Sequence, residues 1–112
     1  MKLVNLTPHD IVVKRNDEQV VIKTSGSVLR LPEEIVAVNY VDVNGVKVPI
    51  VDKVLKAPEI LPADNNDTLY IVSLPTAFYL KKPNLIAPDD LIRAEGGAVI
   101  GCRRFLRIVN PK

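Results

Sequence analysis

The dipeptide Asn44-Gly45 sets the strongest local constraint on how this chain can fold. It separates residues 40–43 from residues 46–49, two runs in which Val alternates with other residues. Asn and Gly both tolerate the positive φ angles of a two-residue type I′ turn, whose twist matches that of antiparallel strands. We therefore predict a β-hairpin here, with Pro49 at an edge or a bulge because proline lacks an amide donor.

Short runs rich in β-branched residues recur along the chain and predict further strands. Residues 75–82 alone favour a helix, because Pro75 suits a first helical turn and Ser73 is a candidate N-cap. Residues 95–97 supply a second hairpin turn. The predicted fold is therefore mainly β, a compact antiparallel barrel or sandwich with one short helix. The predicted strands cover residues 2–6, 11–15, 19–24, 35–43, 46–54, 68–73, 98–101 and 103–109.

The length of 112 residues is enough for one core, and we expect a single domain over residues 1–112. Val, Ile and Leu must fill that core, because Trp is absent and aromatic residues make up only 4% of the chain. The polar run at residues 63–67 predicts an exposed connection between elements.

Cysteine usage and the apolar runs indicate the compartment. Cys102 is the single cysteine, so we expect no internal disulfide, no metal site and no cofactor. The first residues lack the apolar core of a secretory signal, and no apolar run approaches the roughly 18 residues of a membrane-spanning helix. The simplest expectation is a cytoplasmic protein that does not enter the membrane.

The positive charge is concentrated near the end of the chain. The net charge is only +2, yet residues 93–112 hold five Lys or Arg residues against Glu95 alone. A nucleic-acid interface usually has a broader basic face with interleaved aromatic residues, so we do not expect nucleic acid as a partner. The patch suits one small anionic ligand.

The opening of the chain places its single histidine among polar residues, in the segment Asn5-Leu6-Thr7-Pro8-His9-Asp10. Pro8 favours a turn between two strands, so Thr7 and Asp10 are candidates to cap it. Alternatively His9 contacts a ligand, or forms an acid–base pair with Asp10 or Asp89, since histidine titrates near neutrality.

Arg103 and Arg104 are the second candidate site. If residues 100–109 form one strand, alternation places Arg104 on the apolar face with Cys102, and a bulge at Gly101 would put Arg103 there instead. A desolvated guanidinium needs an anion, which is either an internal aspartate or a ligand phosphate or carboxylate. A pocket shared with His9 would follow from antiparallel pairing of the first and last strands.

Tyr70 and Ser73 flank the end of a predicted buried strand and are candidates to line the same pocket. We expect no catalytic residue and no metal ligand. The candidate ligand-binding residues are Asn5, Thr7, His9, Asp10, Tyr70, Ser73, Asp89, Arg103 and Arg104.

Four segments together resemble an uncharacterised family of small proteins found in phages, prophages and some bacteria. They lie at residues 4–9, 70–73, 87–90 and 100–103, so the resemblance spans nearly the whole chain in order. It implies an accessory protein of a phage or mobile element, located in the host cytoplasm, in a setting rich in proteins that neutralise host components.

The leading functional interpretation is a non-enzymatic binding protein that sequesters a small anionic, nucleotide-like signalling molecule in counter-defence. Two alternatives stay open: a protein–protein inhibitor or virion accessory protein acting through an exposed strand edge, and a small hydrolase using His9. A homo-oligomer is expected, because a short β chain gains burial by pairing its edges.

Overall fold

The computed structural model describes residues 1–63 and 66–111. Strands make up 52% of the residues and helix 6%, which confirms a mainly β chain with one short helix. The elements in chain order are β1 (Lys2–Asn5), β2 (Ile11–Arg15), β3 (Glu18–Ile22), β4 (Glu33–Val43), β5 (Val46–Leu55), β6 (Thr68–Ile71), α1 (Leu74–Leu80), β7 (Leu85–Arg93) and β8 (Val99–Leu106).

The backbone forms two compact units. One comprises residues 1–29 and the described residues from Leu61 onward, and the other comprises residues 30–60. The expectation of a single domain over residues 1–112 stays a prediction. Within the described residues, no helix has the length and hydropathy needed to cross a bilayer.

The larger unit contains a six-stranded sheet in the order β1-β6-β7-β8-β2-β3, curled into a half-barrel. Its two edges approach each other at one end, where Asn5 forms a parallel bridge with Thr24. The Ser25 amide donates to the Asn5 carbonyl at 3.0 Å, and the Leu29 amide donates to the Leu6 carbonyl at the same distance. These contacts stabilise the curvature of the sheet, because they connect the segment after β3 to the end of β1.

The sheet mixes parallel and antiparallel pairings. β2–β3 and β7–β8 are antiparallel, whereas β1–β6, β6–β7 and β2–β8 are parallel. The expected antiparallel pairing of the first and last strands is therefore wrong: β8 pairs in parallel with β2, through Val13 and Cys102. The reason is the corner after β1, which separates β1 from β2 and leaves β2 as the neighbour of β8.

The strand β7 was not expected, because Pro88-Asp89-Asp90 is typical of a turn. In the structure Pro88 pairs with Phe105 and Asp89 with Arg104, and Asp90 takes a positive φ of 51° within the strand. The two strands predicted around Gly101 form one strand, β8. Its register shifts where the pair Ile92–Gly101 is followed by the pair Arg93–Val99.

The core of the larger unit is small and aliphatic. Buried Val72, Ala77, Leu85 and Ala87 form its centre, so α1 contributes to it through Ala77. Partly buried side chains surround this centre: Leu6, Leu29, Tyr70, Leu80, Leu106 and Ile108. Ser73 is the N-cap residue as predicted, but its side chain makes no capping hydrogen bond.

The smaller unit is the predicted hairpin, and β4 pairs antiparallel with β5. Asn44 and Gly45 have φ angles of 51° and 85°, which confirms a turn with two positive φ angles. The Asp42 carboxylate accepts a 2.8 Å hydrogen bond from the Gly45 amide and supports this turn. Of the predicted connection at residues 63–67, residues 64 and 65 lie outside the described residues.

Candidate functional site

The corner between β1 and β2 is organised by the buried side chain of Asn5, which is 1% exposed. Its Nδ2 donates to the carbonyl oxygens of His9 at 2.9 Å and Ile22 at 3.2 Å. Its Oδ1 accepts from the Thr7 amide at 2.9 Å and lies 2.6 Å from the Thr7 hydroxyl. The bond to the amide two residues ahead is an Asx turn, which a short amide side chain forms readily.

Asn5 and Thr7 therefore act on the backbone and are largely inaccessible to a ligand. The Thr7 hydroxyl also lies 3.0 Å from the His9 carbonyl oxygen, so this oxygen is held from two sides. The His9 side chain is exposed and makes no hydrogen bond within the described residues. The segment thus builds a rigid corner that presents an unengaged imidazole.

Asp10 secures the other side of the corner. Its carboxylate accepts a 2.9 Å hydrogen bond from the Thr24 amide and lies 3.4 Å from the Lys23 ammonium. The Thr24 hydrogen bond, assisted by Lys23, lowers the pKa of Asp10. Asp10 is therefore an anion at neutral pH, and its charge is balanced by Lys23.

A cavity of about 410 Å³ opens beside this corner, where β2 meets β7, β8 and the start of α1. This volume lies within the range of roughly 300–1,000 Å³ that is usual for small-molecule sites. His9 and Asp10 contribute its polar groups, and aliphatic side chains dominate the rest. The lining residues are His9, Asp10, Ile11, Val12, Leu74, Pro88, Leu91, Val99, Ile100, Gly101 and Cys102.

Gly101 and Cys102 form the part of the wall that belongs to β8. A Cβ atom at Gly101 would lie 3.0 Å from the carbonyl oxygen of Val12, so the close approach of β2 favours glycine here. Cys102 is 1% exposed, and burial raises the pKa of its thiol. The thiol is consequently protonated at neutral pH, which makes it a poor nucleophile.

The register pairs place Arg104 on the same face of β8 as Cys102 and Leu106, but both arginine side chains are exposed, so the expected desolvated guanidinium is not found. Arg104 Nε lies 2.7 Å from Asp89, and Arg103 Nη1 lies 3.3 Å from Asp90. The hydrogen bond from Arg104 lowers the pKa of Asp89. The unexpected strand β7 explains this outcome, because it places the two aspartates beside the two arginines across the ladder.

Arg103 also lines a shallow groove of about 440 Å³ together with Lys14 and Arg15. The groove and the cavity occupy successive stretches of the same two strands. Val12 and Cys102 line the cavity, and the groove begins at Lys14 and Arg103. On β2, Val12 and Lys14 share a face, whereas on β8 the consecutive residues Cys102 and Arg103 point to opposite faces, so the apolar cavity adjoins the basic groove along β2 and not through the Cys102 side chain.

The predicted site residues separate into two groups. His9 and Asp10 line the cavity, whereas Tyr70 packs against the core and Ser73 hydrogen-bonds the Thr76 hydroxyl at 2.9 Å. Sequence reasoning missed the aliphatic lining, because Val, Ile and Leu in strands predict a core equally well. The expected pocket was one that His9 shares with Arg103 or Arg104; His9 shares its cavity with Cys102 of the same strand, but neither arginine lines it.

Within the described residues, no group of three or more His, Cys, Asp or Glu side chains is placed to hold a metal ion. Comparison with models of known protein families gives no match, and searches of curated proteins and of solved structures find no similar protein. The function of this chain must therefore be inferred from the geometry of its described residues.

Proposed function

We propose that this chain is a non-enzymatic protein that binds and sequesters a small molecule in the cavity beside His9. The cavity itself carries the proposal, because it combines a ligand-sized volume, an aliphatic lining and one unengaged imidazole at the polar end. The protonated Cys102 thiol favours binding over nucleophilic catalysis. The resemblance to phage and prophage proteins supplies the proposed setting, in which such a binder counters a host defence signal.

The lining favours a ligand with a flat or aliphatic body. Leu74, Leu91 and Ile100 offer it apolar contact, and the His9 imidazole offers a donor or an acceptor. Asp10 is ionised and lines the same cavity, so the cavity itself does not attract an anionic group.

The basic groove is the place for the anionic end of the expected ligand. Lys14, Arg15 and Arg103 would contact a phosphate there, while the base or ring of the same molecule occupies the apolar cavity. A nucleotide-like molecule combines these two properties. Because the cavity and the groove contact different ends of the ligand, substitutions in each are expected to affect binding separately.

Calorimetry with matched nucleosides and nucleotides tests both ends. Val99→Trp should fill the cavity and abolish binding, and Val109→Trp is the matched control because Val109 is exposed and lies outside the cavity lining. The proposal is wrong if Val99→Trp binds as tightly as the unaltered chain. It is equally wrong if cyclic and linear nucleotides, together with their nucleosides, all fail to bind.

Substitution of two adjacent arginines tests the contact with the anionic end of the ligand separately. Arg103 and Arg104 are adjacent, exposed and ion-paired, but only Arg103 lines the groove. Arg103→Ala should weaken nucleotide binding about tenfold and leave nucleoside binding unchanged, as expected for one charge-assisted hydrogen bond. Arg104→Ala should alter neither. Equal effects of both substitutions would remove the groove from the proposal.

A further inference from the structure

The β4–β5 hairpin carries an unusual amount of exposed apolar surface. Between Glu33 and Leu55, twelve large apolar side chains are each at least 38% exposed. A solitary two-stranded hairpin is marginally stable in water, and a long apolar strand with free edges invites pairing with another chain. The hairpin therefore offers an apolar surface to a partner.

The two faces of the hairpin differ in charge. Register pairs share a face, so Val43–Val46, Val41–Val48 and Asn39–Ile50 lie on one side of the ladder. We call Val41, Val43, Val46, Val48 and Ile50 the valine face.

The opposite face carries the pairs Asp42–Lys47, Tyr40–Pro49 and Val38–Val51. There the Lys47 ammonium lies 4.5 Å from the centre of the Tyr40 ring. Covering that face would desolvate Asp42 and Lys47, whereas the five residues of the valine face are all apolar; the nearest charged residue on their side is Asp52, which lies beyond Ile50 and pairs with Ala37.

We propose that the valine face packs against the valine face of a second copy of this chain, about a twofold axis. Every copy carries the same face, and an isologous contact needs no other gene product. Two ion pairs lie in the smaller unit, with Lys53 3.0 Å from Glu33 and Lys56 2.7 Å from Glu34. Residues 30–60 hold four basic and five acidic residues, so two copies approach with little net repulsion.

The area of the valine face agrees with this assignment. Its side chains are 38–61% exposed. At roughly 80 Å² for a half-exposed Val or Ile, they present on the order of 400 Å² of apolar surface. Apolar atoms supply somewhat more than half of a typical interface, so this corresponds to roughly 700 Å² per copy, near the standard size. No residue of the valine face lines the proposed ligand cavity.

Sedimentation velocity of the full chain at about 1–100 µM gives the primary test, because a dimer with an interface of this size forms in that range. We expect a dimer. Val48→Lys should raise the dimer dissociation constant at least about 100-fold, because it buries an ammonium in the contact. Val51→Lys is the matched control: the same substitution three residues along β5, on the opposite face.

Several results would contradict the proposed dimer. A monomeric unaltered chain, an unchanged dimer in Val48→Lys, or equal dissociation of both variants overturns the proposal. So does isolation of the chain with a different protein seated on the valine face. Hydrogen exchange of the unaltered chain keeps the test valid if Val48→Lys fails to fold: dilution should accelerate amide exchange across residues 40–51, and concentration-independent exchange would contradict dimerisation.

Discussion

Replacing Asn5 by Ala tests whether the corner at β1 is held by one buried amide. The substitution leaves the Thr7 amide and the Ile22 carbonyl without their present partners, in a site where Asn5 is 1% exposed and Thr7 8% exposed. Each unsatisfied buried group costs about 1–3 kcal/mol. We therefore expect the free energy of unfolding to fall by about 3 kcal/mol, which corresponds to roughly 10–15 °C in Tm for a chain of this size.

Chemical denaturation monitored by circular dichroism measures this loss, and Asn110→Ala supplies the control because Asn110 is exposed. The control should stay within about 0.5 kcal/mol of the unaltered chain. Thr7→Val should cost about 1 kcal/mol, and combining it with Asn5→Ala should cost less than the sum, because both substitutions break one network. A loss below about 1 kcal/mol for Asn5→Ala would refute the assignment.

Three further predictions concern other parts of the chain. Gly45→Val should destabilise the hairpin turn by about 1–2 kcal/mol, because Gly45 has a φ of 85°, and an unchanged urea midpoint would contradict this. Asp10→Asn should lower the free energy of unfolding at pH 7, and the difference from the unaltered chain should vanish on acidification. The reason is that the lowered pKa of Asp10 contributes stability that is present above about pH 4 and is lost as the pH falls through the lowered pKa. Denaturation at both pH values measures this, and a difference that persists at pH 2 would argue against it. Gly101→Ala should lower Tm, since the new Cβ meets the Val12 carbonyl oxygen at 3.0 Å; a Tm equal to that of the unaltered chain would show that β2 can move aside.

Local sequence chemistry determined the strands, the turn at Asn44-Gly45 and the corner at residues 5–10. These features depend on contacts between near neighbours: positive φ angles in a turn, and a side-chain amide that reaches a backbone group two residues away. Residues 85–93 show where local sequence chemistry fails to predict the structure, because their Pro and Asp residues are typical of a turn. Pairing with β8 overrides that preference and makes it a strand.

Only the tertiary structure decided which strands are neighbours, and with them the site. The parallel alignment of β2 with β8 places His9 and Cys102 in one cavity, although they lie at opposite ends of the sequence. Alternation along a strand indicates which residues share a face, but it does not say whether water, the core or another chain covers that face. The exposure of the hairpin valines and the ion pairs of the β8 arginines could not be predicted for this reason, because burial depends on how the strands assemble into the sheet.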